Sequence, residues 1–132
     1  MAASISSNAP SKKRVLLVED EEVIRQHLRE FIESDRIEVV ECANGLEAMD
    51  LIRNGNFDLV VSDVSLPGIG GDELVKRLVN EGSKVPVALM SGQLHHTKKT
   101  AKAMGAIEYF EKPMEILGIP DFIEQFFAQG NK

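Results

Sequence analysis

The feature that most constrains the fold is a short apolar run at residues 59–62, Leu-Val-Val-Ser, that ends on the carboxylate of Asp63. The run does not alternate polar with apolar residues, which is typical of a strand buried on both faces of a parallel sheet. In open parallel sheets covered by helices, ligands bind at the carboxyl ends of the strands. Asp63 is therefore a candidate functional residue, at the start of a glycine-rich loop at residues 67–71.

The same pattern occurs at three other places along the chain. Apolar runs at residues 15–18, 85–90 and 106–111 each lead directly into a polar group. Those groups are Glu19 with Asp20, Ser91, and Lys112. Because the carboxyl ends of parallel strands meet at one edge of a sheet, the sequence predicts that these side chains lie near Asp63.

Helical periodicity separates the strands, so the chain alternates strand and helix five times. We expect helices at residues 21–32, 45–54, 93–104 and 121–128, and a third helix that is marked by apolar residues at 74–79 and ends near Gly82. The apolar stripes of the first three helices include Val23, Phe31, Leu46 and Val79, which are expected to face the sheet. The alternation predicts an α/β fold with a doubly wound, five-stranded parallel sheet in three α/β/α layers.

The strand order follows from the two strands that carry acidic side chains. Residues 37–42 alternate apolar and acidic side chains, and the fifth strand contains Glu108. Strands of this kind belong at the edges of a sheet, where one side meets water. Edges at the second and fifth strands fit the flavodoxin-like order 2-1-3-4-5, which places the first strand beside the third.

Composition and charge exclude several classes of function. Residues 1–12 are small, polar and basic, and we expect a disordered lead-in or linker there, followed by one folded domain at residues 13–132. Residues 15–132 carry 12 basic and 21 acidic side chains, which argues against nucleic acid as a direct ligand. No apolar run reaches the roughly 20 residues of a membrane helix, and the single Cys42 fits a reducing, cytoplasmic location.

The predicted cluster of carboxylates suggests metal and phosphoryl chemistry. Carboxylates at adjacent strand ends repel one another unless a positive charge lies among them, and Mg²⁺ is commonly bound by one or two carboxylates. An aspartate can accept a phosphoryl group as a covalent intermediate. Lys112 would supply a positive charge, and Ser91 a hydrogen bond, to such a group.

These residues give the chain a resemblance to the receiver domain of two-component response regulators, from about Lys13 to the C-terminus. The matching motifs are Val-Glu-Asp at residues 18–20, Asp63 with Leu66, Pro67 and Gly71, Ser91-Gly92, Tyr109, and Lys112-Pro113.

The resemblance implies a Mg²⁺-dependent phosphoacceptor. Asp63 would take a phosphoryl group from a histidine kinase or a histidine phosphotransfer protein. Glu19, Asp20, Asp63 and the backbone carbonyl of Ser65 would bind Mg²⁺. The domain would not be an enzyme in the usual sense, because it would catalyse only its own phosphorylation and dephosphorylation.

The resemblance also implies a conformational switch. Ser91 and Lys112 would assist the phosphoryl transfer, and Ser91 and Tyr109 would form the switch pair. The switch would change an output face made by the fourth helix, the fifth strand and the fifth helix. A cis Lys112–Pro113 peptide bond would aim the lysine inward, and the partners on the output side would be a downstream protein or a fused effector domain.

Two other functions remain open from the sequence. An aspartate-nucleophile phosphatase would need a second aspartate two residues after the first, where this chain has Ser65. A receiver-like interaction module that is never phosphorylated would need none of these polar residues.

Lys98, Lys99 and Lys102 lie in a stretch without acidic residues, and we hypothesise that they dock an acidic partner surface.

Overall fold

The structure is a computed structural model that describes residues 12–92, 97–113 and 115–130. Within them, parallel strands form one five-stranded sheet in the order β2-β1-β3-β4-β5, which confirms the predicted fold and strand order. The strands are β1 (Lys13–Val18), β2 (Ile37–Cys42), β3 (Leu59–Asp63), β4 (Val87–Ser91) and β5 (Glu108–Glu111). The helices are α1 (Glu22–Ile32), α2 (Gly45–Asn54), α3 (Gly71–Asn80), α4 (Lys98–Met104) and α5 (Ile119–Gly130).

The strands send alternate side chains into two hydrophobic layers. In β1, Val15 and Leu17 pack with residues of α1 and α5, whereas Leu16 and Val18 pack with residues of α2, α3 and α4. All four side chains are fully buried. Because helices cover both faces of the sheet, neither face of β1 meets water. Its sequence therefore does not alternate apolar and polar residues.

The two acidic strands lie at the edges, as predicted. In β2 only Val39 and Cys42 are buried, and β2 pairs with β1 alone in the sheet. In β5 the outer residues Glu108 and Glu111 are partly or fully exposed. The central strands β3 and β4 are buried along their whole length.

Several helix boundaries differ from the predicted ones. The final helix begins at Ile119, two residues earlier than predicted, because a 3₁₀ turn at Ile116–Gly118 leads directly into it and Ile119 is fully buried. The predicted helix at residues 93–104 is described only from Lys98, after a capping box formed by Thr97 and Thr100. Residues 93–96 lie outside the described part of the chain.

The apolar stripes of the first three helices are narrower than predicted. The side chains expected at their margins are exposed instead: Val23 by 66%, Phe31 by 56%, Leu46 by 53% and Val79 by 55%. Periodicity shows the direction of a helical face but not its width, because the width depends on how closely the helix lies on the sheet.

Residues 1–11 of the predicted lead-in also lie outside the described residues, so its disorder stays a prediction. Over residues 12–92, 97–113 and 115–130, no helix combines the length and hydropathy that crossing a membrane requires.

Candidate functional site

The sheet order places the predicted polar residues at one edge. β1 and β3 are neighbours with Val18 in register with Ser62, so Glu19 and Asp63 emerge side by side. On the other side of β3, strand β4 ends at Ser91. The fold therefore brings together strand ends that are distant in sequence.

Three carboxylates converge at this edge. One oxygen from each of Glu19, Asp20 and Asp63 lies within 4.8 Å of the others. Glu19 is 0% exposed and Asp63 is 4% exposed, whereas Asp20 is exposed to solvent. The sequence predicted the cluster but not which of the two adjacent acids points inward.

The ammonium of Lys112 bridges the two buried carboxylates. Its Nζ donates to Asp63 Oδ2 at 2.5 Å and to Glu19 Oε1 at 3.0 Å. The side chain is only 11% exposed. Its stem passes Gly92, where a Cβ would lie 3.8 Å from the Lys112 Cε. The backbone N–H of Lys112 donates to the Ser91 carbonyl at 2.8 Å, and the Lys112–Pro113 bond is cis, as predicted.

The remaining oxygens of the buried carboxylates accept backbone hydrogen bonds. Asp63 Oδ1 accepts from the Ser65 N–H at 3.1 Å, and Glu19 Oε2 accepts from the Glu21 N–H at 3.0 Å. Each oxygen keeps a second lone pair for another ligand. The observed contact of Ser65 is made by its amide, so the role of its carbonyl as a metal ligand stays a prediction.

Burial and charge shift the pKa values of this cluster. Burial raises the pKa of Glu19 to about 7, although hydrogen bonds from the Glu21 N–H and from Lys112 oppose that shift. Burial also acts to lower the pKa of Lys112, but hydrogen bonds to Asp63 and Glu19 outweigh it and raise that pKa. The shift of the Glu19 pKa reflects the cost of burying its charge, and the shift of the Lys112 pKa reflects the attraction of the two carboxylates for a positive charge.

The donor set fits a hard divalent cation. Three carboxylates and one ammonium leave a formal charge of −2 when all are ionised. Carboxylate oxygens in a partly hydrated site are the ligands that Mg²⁺ prefers. Glu19, Asp20 and Asp63 are therefore suited to hold such an ion.

The loop after Asp63 is fixed by close backbone contacts. A Cβ on Gly71 would lie 2.3 Å from the Asp63 carbonyl oxygen, so no larger residue fits there without a backbone shift. The N–H of Gly71 donates to the Val64 carbonyl at 2.9 Å. The start of α3 thus packs directly against the end of β3 and fixes the position of Asp63.

Ser91 and Tyr109, the predicted switch pair, are both buried. Ser91 ends β4 and is 2% exposed. Tyr109 is 1% exposed and belongs to the hydrophobic layer that includes α2, α3 and α4. β5 is an edge strand, but α4 packs against it and covers this face.

An open cleft of about 570 Å³ gives access to the cluster. Its polar lining includes Asp20, Asp63 and Lys112, and Ile24 and Ile116 contribute apolar side chains to the lining. The cleft is large enough for a phosphoryl group and for part of the molecule that carries it.

Sequence reasoning missed Arg25, whose guanidinium donates to the carbonyl oxygen of Glu19 at 2.7 Å. No motif marks this contact, because it depends on how α1 is placed beside the ends of β1 and β2.

The lysines predicted to dock a partner, Lys98, Lys99 and Lys102, are all exposed, and Lys98 Nζ lies 3.8 Å from Glu108 Oε1. Partner docking by these lysines stays a prediction.

Comparison with known proteins shows the same family over most of the chain. The family model described as the response regulator receiver domain matches residues 15–124. The sporulation initiation phosphotransferase F of Bacillus subtilis is 31% identical over 116 residues, which cover 86% of this chain and 93% of that protein. The chain spans about half the length of several other curated relatives, 46%, 49% and 43% in three of them.

Solved structures show the same architecture. The receiver domain of the Francisella response regulator 1452 superposes with a TM-score of 0.83 at 26% identity, covering 90% of this chain and 99% of that one. The response regulator protein TrrA of Thermotoga maritima, in complex with Mg²⁺–BeF, superposes with a TM-score of 0.75 at 28% identity, covering 86% and 97%.

Proposed function

This chain belongs to the response regulator receiver family, and we propose that it is a phosphorylation switch in which Asp63 accepts a phosphoryl group. The donor would be a histidine kinase or a histidine phosphotransfer protein. The observation that supports this most strongly is the contact of Lys112 with Asp63 inside a cluster of three carboxylates. A structural salt bridge would not require two further acids beside it.

The proposed transfer needs positioning and charge neutralisation more than covalent assistance. A carboxylate oxygen of Asp63 attacks the phosphorus of a phosphohistidine. The phosphorus–nitrogen bond breaks, its electron pair goes to the leaving imidazole, and an aspartyl phosphate remains. The hydrogen bonds from Lys112 and the Ser65 N–H orient the Asp63 carboxylate before the attack.

Glu19, Asp20 and Asp63, with the Ser65 carbonyl, would hold the Mg²⁺ ion in this proposal. The ion would supply positive charge that offsets the negative charge of the arriving phosphoryl group. Glu19 is fully buried and its carboxylate is oriented by Lys112 and the Glu21 N–H. The protein therefore offers two preoriented carboxylates, with Asp20 as the solvent-facing third.

The switch would operate through Ser91 and Tyr109. Tyr109 is already buried, so phosphorylation need not move it from solvent into the core. We propose that hydrogen bonding of Ser91 to the phosphoryl group stabilises one packing of Tyr109 against β4 and α4. Phosphorylation would then shift the population between two packings and change the surface formed by α4, β5 and α5.

Receiver domains are in general non-enzymatic signalling modules that interact with histidine kinases or phosphotransfer proteins and with downstream effectors. For this chain we propose a protein target or a fused effector domain as the output, with catalysis limited to its own phosphorylation and dephosphorylation. The assignment of residues 13–132 to the receiver domain, and a cytoplasmic location, stay predictions.

The two rival functions find less support in the site. A phosphatase of the aspartate-nucleophile class would place an acid at residue 65, and Ser65 offers only a hydroxyl and its backbone groups. A module that is never phosphorylated would have no reason to bury Glu19 and Asp63 beside Lys112, because burying charges costs free energy.

Incubation with acetyl phosphate and Mg²⁺, followed by intact-protein mass spectrometry, tests the proposal. We expect the mass of one phosphoryl group to be added with Mg²⁺ and not with a chelator. Asp63→Asn should abolish the modification, because an amide cannot serve as the nucleophile. Asp35→Asn, an exposed aspartate between α1 and β2, is the matched control and should be modified like the wild type.

Three other results would contradict the proposal. Continuous hydrolysis of added phosphate esters, without a labelled protein, would favour a phosphatase. No modification under any condition would favour an interaction module. Equal modification of Asp63→Asn would place the phosphoacceptor at another residue.

A further inference from the structure

Arg25 of α1 contacts both β2 and the acidic loop, residues 19–21, that joins β1 to α1. It lies in the first turn of α1, and its guanidinium makes two hydrogen bonds in different directions. One nitrogen donates to the Glu19 carbonyl oxygen at 2.7 Å, and another donates to Glu41 Oε1 on β2 at 2.9 Å. Its side chain is 17% exposed and that of Glu41 is 22% exposed, so both bonds are partly shielded from water.

The bond to the Glu19 carbonyl occurs where β1 has ended. The N–H of Glu19 still pairs with the Cys42 carbonyl on β2, at 3.1 Å, but its carbonyl lies beyond the last strand residue. Arg25 provides the partner for that carbonyl. The backbone of Glu19 is thus held at its N–H by β2 and at its carbonyl by α1, while Lys112 and the Glu21 N–H hold its carboxylate.

The direction of the Glu19 side chain matters to the site. Glu19 is fully buried and reaches Lys112 at 3.0 Å, close to oxygens of Asp20 and Asp63. The Glu19 carbonyl belongs to the peptide group that joins Glu19 to Asp20, so a rotation of this group would change the backbone position of both residues. The contact made by Arg25 is therefore at the peptide group that links two of the three proposed metal ligands.

Neighbouring carboxylates neutralise the positive charge of Arg25. Glu41 accepts hydrogen bonds from Arg25 and, at 2.5 Å, from Arg29, and Arg29 is also paired with Glu33. Two guanidinium groups and two carboxylates leave this group of side chains formally neutral. Arg25 can therefore approach a site for a cation without repelling the cation strongly, and its effect on the site is geometric.

We infer that Arg25 is a positioning residue that orients Glu19 and Asp20 for binding of a divalent cation. The inference rests on the proposed function, because it concerns the metal site of the phosphoacceptor. Residues that orient metal ligands by hydrogen bonding typically change metal affinity about 10- to 100-fold when replaced.

The chain offers a matched control one helical turn away. Arg29 binds the same carboxylate of Glu41, but its described contacts are with Glu41 and Glu33 and not with Glu19. Arg25→Met and Arg29→Met each remove one guanidinium from Glu41 and keep an unbranched side chain. Only the first also removes the contact to the acidic loop.

Mg²⁺ binding by isothermal titration calorimetry is the first measurement. We expect Arg25→Met to weaken Mg²⁺ binding by about 10-fold and Arg29→Met to leave it unchanged. Arg25→Lys, whose ammonium is a point donor, should bind Mg²⁺ with an affinity between those of Arg25→Met and the wild type. Unfolding in urea compares the overall stability of the variants.

Amide hydrogen exchange without metal is the second measurement. The Glu19 and Glu21 amides are both hydrogen bonded in the structure, and they should exchange faster in Arg25→Met than in Arg29→Met. This readout does not depend on the metal. A wild-type protein that binds no Mg²⁺ would overturn the metal site of the proposed function, and the exchange rates would still show whether Arg25 orders the loop.

Equal Mg²⁺ affinity and equal exchange rates in the two methionine variants would overturn the inference, since Arg25 would then act only as a surface ion pair. A loss of Mg²⁺ affinity in both variants would overturn it as well, because it would indicate an effect of the ion-pair group as a whole.

Discussion

At the scale of single residues, Lys112 is the residue that joins the two buried carboxylates of the site. Its ammonium lies between two carboxylates that are almost completely buried and forms an ion pair with each of them. Removing one member of a buried ion pair leaves an uncompensated charge, which destabilises more than the pair itself stabilises.

We therefore expect Lys112→Met to lower the free energy of unfolding by about 3 kcal/mol in the presence of a chelator. A divalent cation should restore part of this loss, because it can take over the neutralisation of Glu19 and Asp63. Urea denaturation with and without Mg²⁺ measures both effects. Lys99→Met, on the exposed side of α4, is the control, and unchanged stability of Lys112→Met would contradict the expectation.

At the scale of elements, ion pairs attach α1 to the edge strand β2. Arg25 and Arg29 of α1 both bind Glu41 of β2, and Arg29 also pairs with Glu33 just after the helix. Hydrogen bonds from Arg29 lower the pKa of Glu41 and of Glu33 below their usual value of 4.5. A carboxylate whose pKa is lowered on folding stabilises the protein at pH values where it is charged in the unfolded state.

The stability of the protein should therefore depend on pH through Glu41. We expect Glu41→Gln to cost about 1 kcal/mol at neutral pH, because this ion pair is partly exposed. The difference in the free energy of unfolding between Glu41→Gln and the wild type should have its full size above pH 4.5, the pKa of Glu41 in the unfolded state. It should disappear as the pH falls through the lowered pKa of Glu41 in the folded state. Urea denaturation at a series of pH values measures it.

A difference between Glu41→Gln and the wild type that stays constant from neutral to acidic pH would show that the charge of Glu41 is not responsible. Glu38→Gln is a suitable control, because this carboxylate on the same strand is exposed and its ion pair with Arg14 has a longer separation of 3.6 Å.

At the scale of the whole molecule, metal binding should be linked to folding. The three carboxylates come from the ends of two strands, so the site exists only when the sheet is formed. A ligand that binds only the folded state stabilises it by an amount that grows with the free ligand concentration.

We expect Mg²⁺ at about 100 times its dissociation constant to raise the free energy of unfolding by about 2.7 kcal/mol. Asp20→Asn should lose most of this increment and keep the stability measured in chelator, because Asp20 is exposed and is not needed for the fold. Sodium chloride at matched ionic strength controls for screening. An equal increment in Asp20→Asn would show that the stabilisation does not involve this cluster.

The fold and most of the site were accessible from the sequence because they depend on local patterns. Unbroken apolar runs predicted buried strands, and acidic residues in the second and fifth strands predicted the edges. The rest depended on contacts between distant segments. The burial of Tyr109 reflects the packing of α4 against β5, and Leu46 is exposed although Ala48, Met49 and Ile52 of the same helix are buried.

By itself, the sequence determined which residue types lie at the ends of which strands. An apolar run indicates a buried strand, and the first polar residue after the run indicates where the strand ends. Only the tertiary structure decided that Glu19 is buried while Asp20 is exposed, and that Arg25 reaches the Glu19 carbonyl. Those outcomes depend on the placement of α1 over two strand ends. No local pattern specifies that placement, because it results from the packing of the whole sheet.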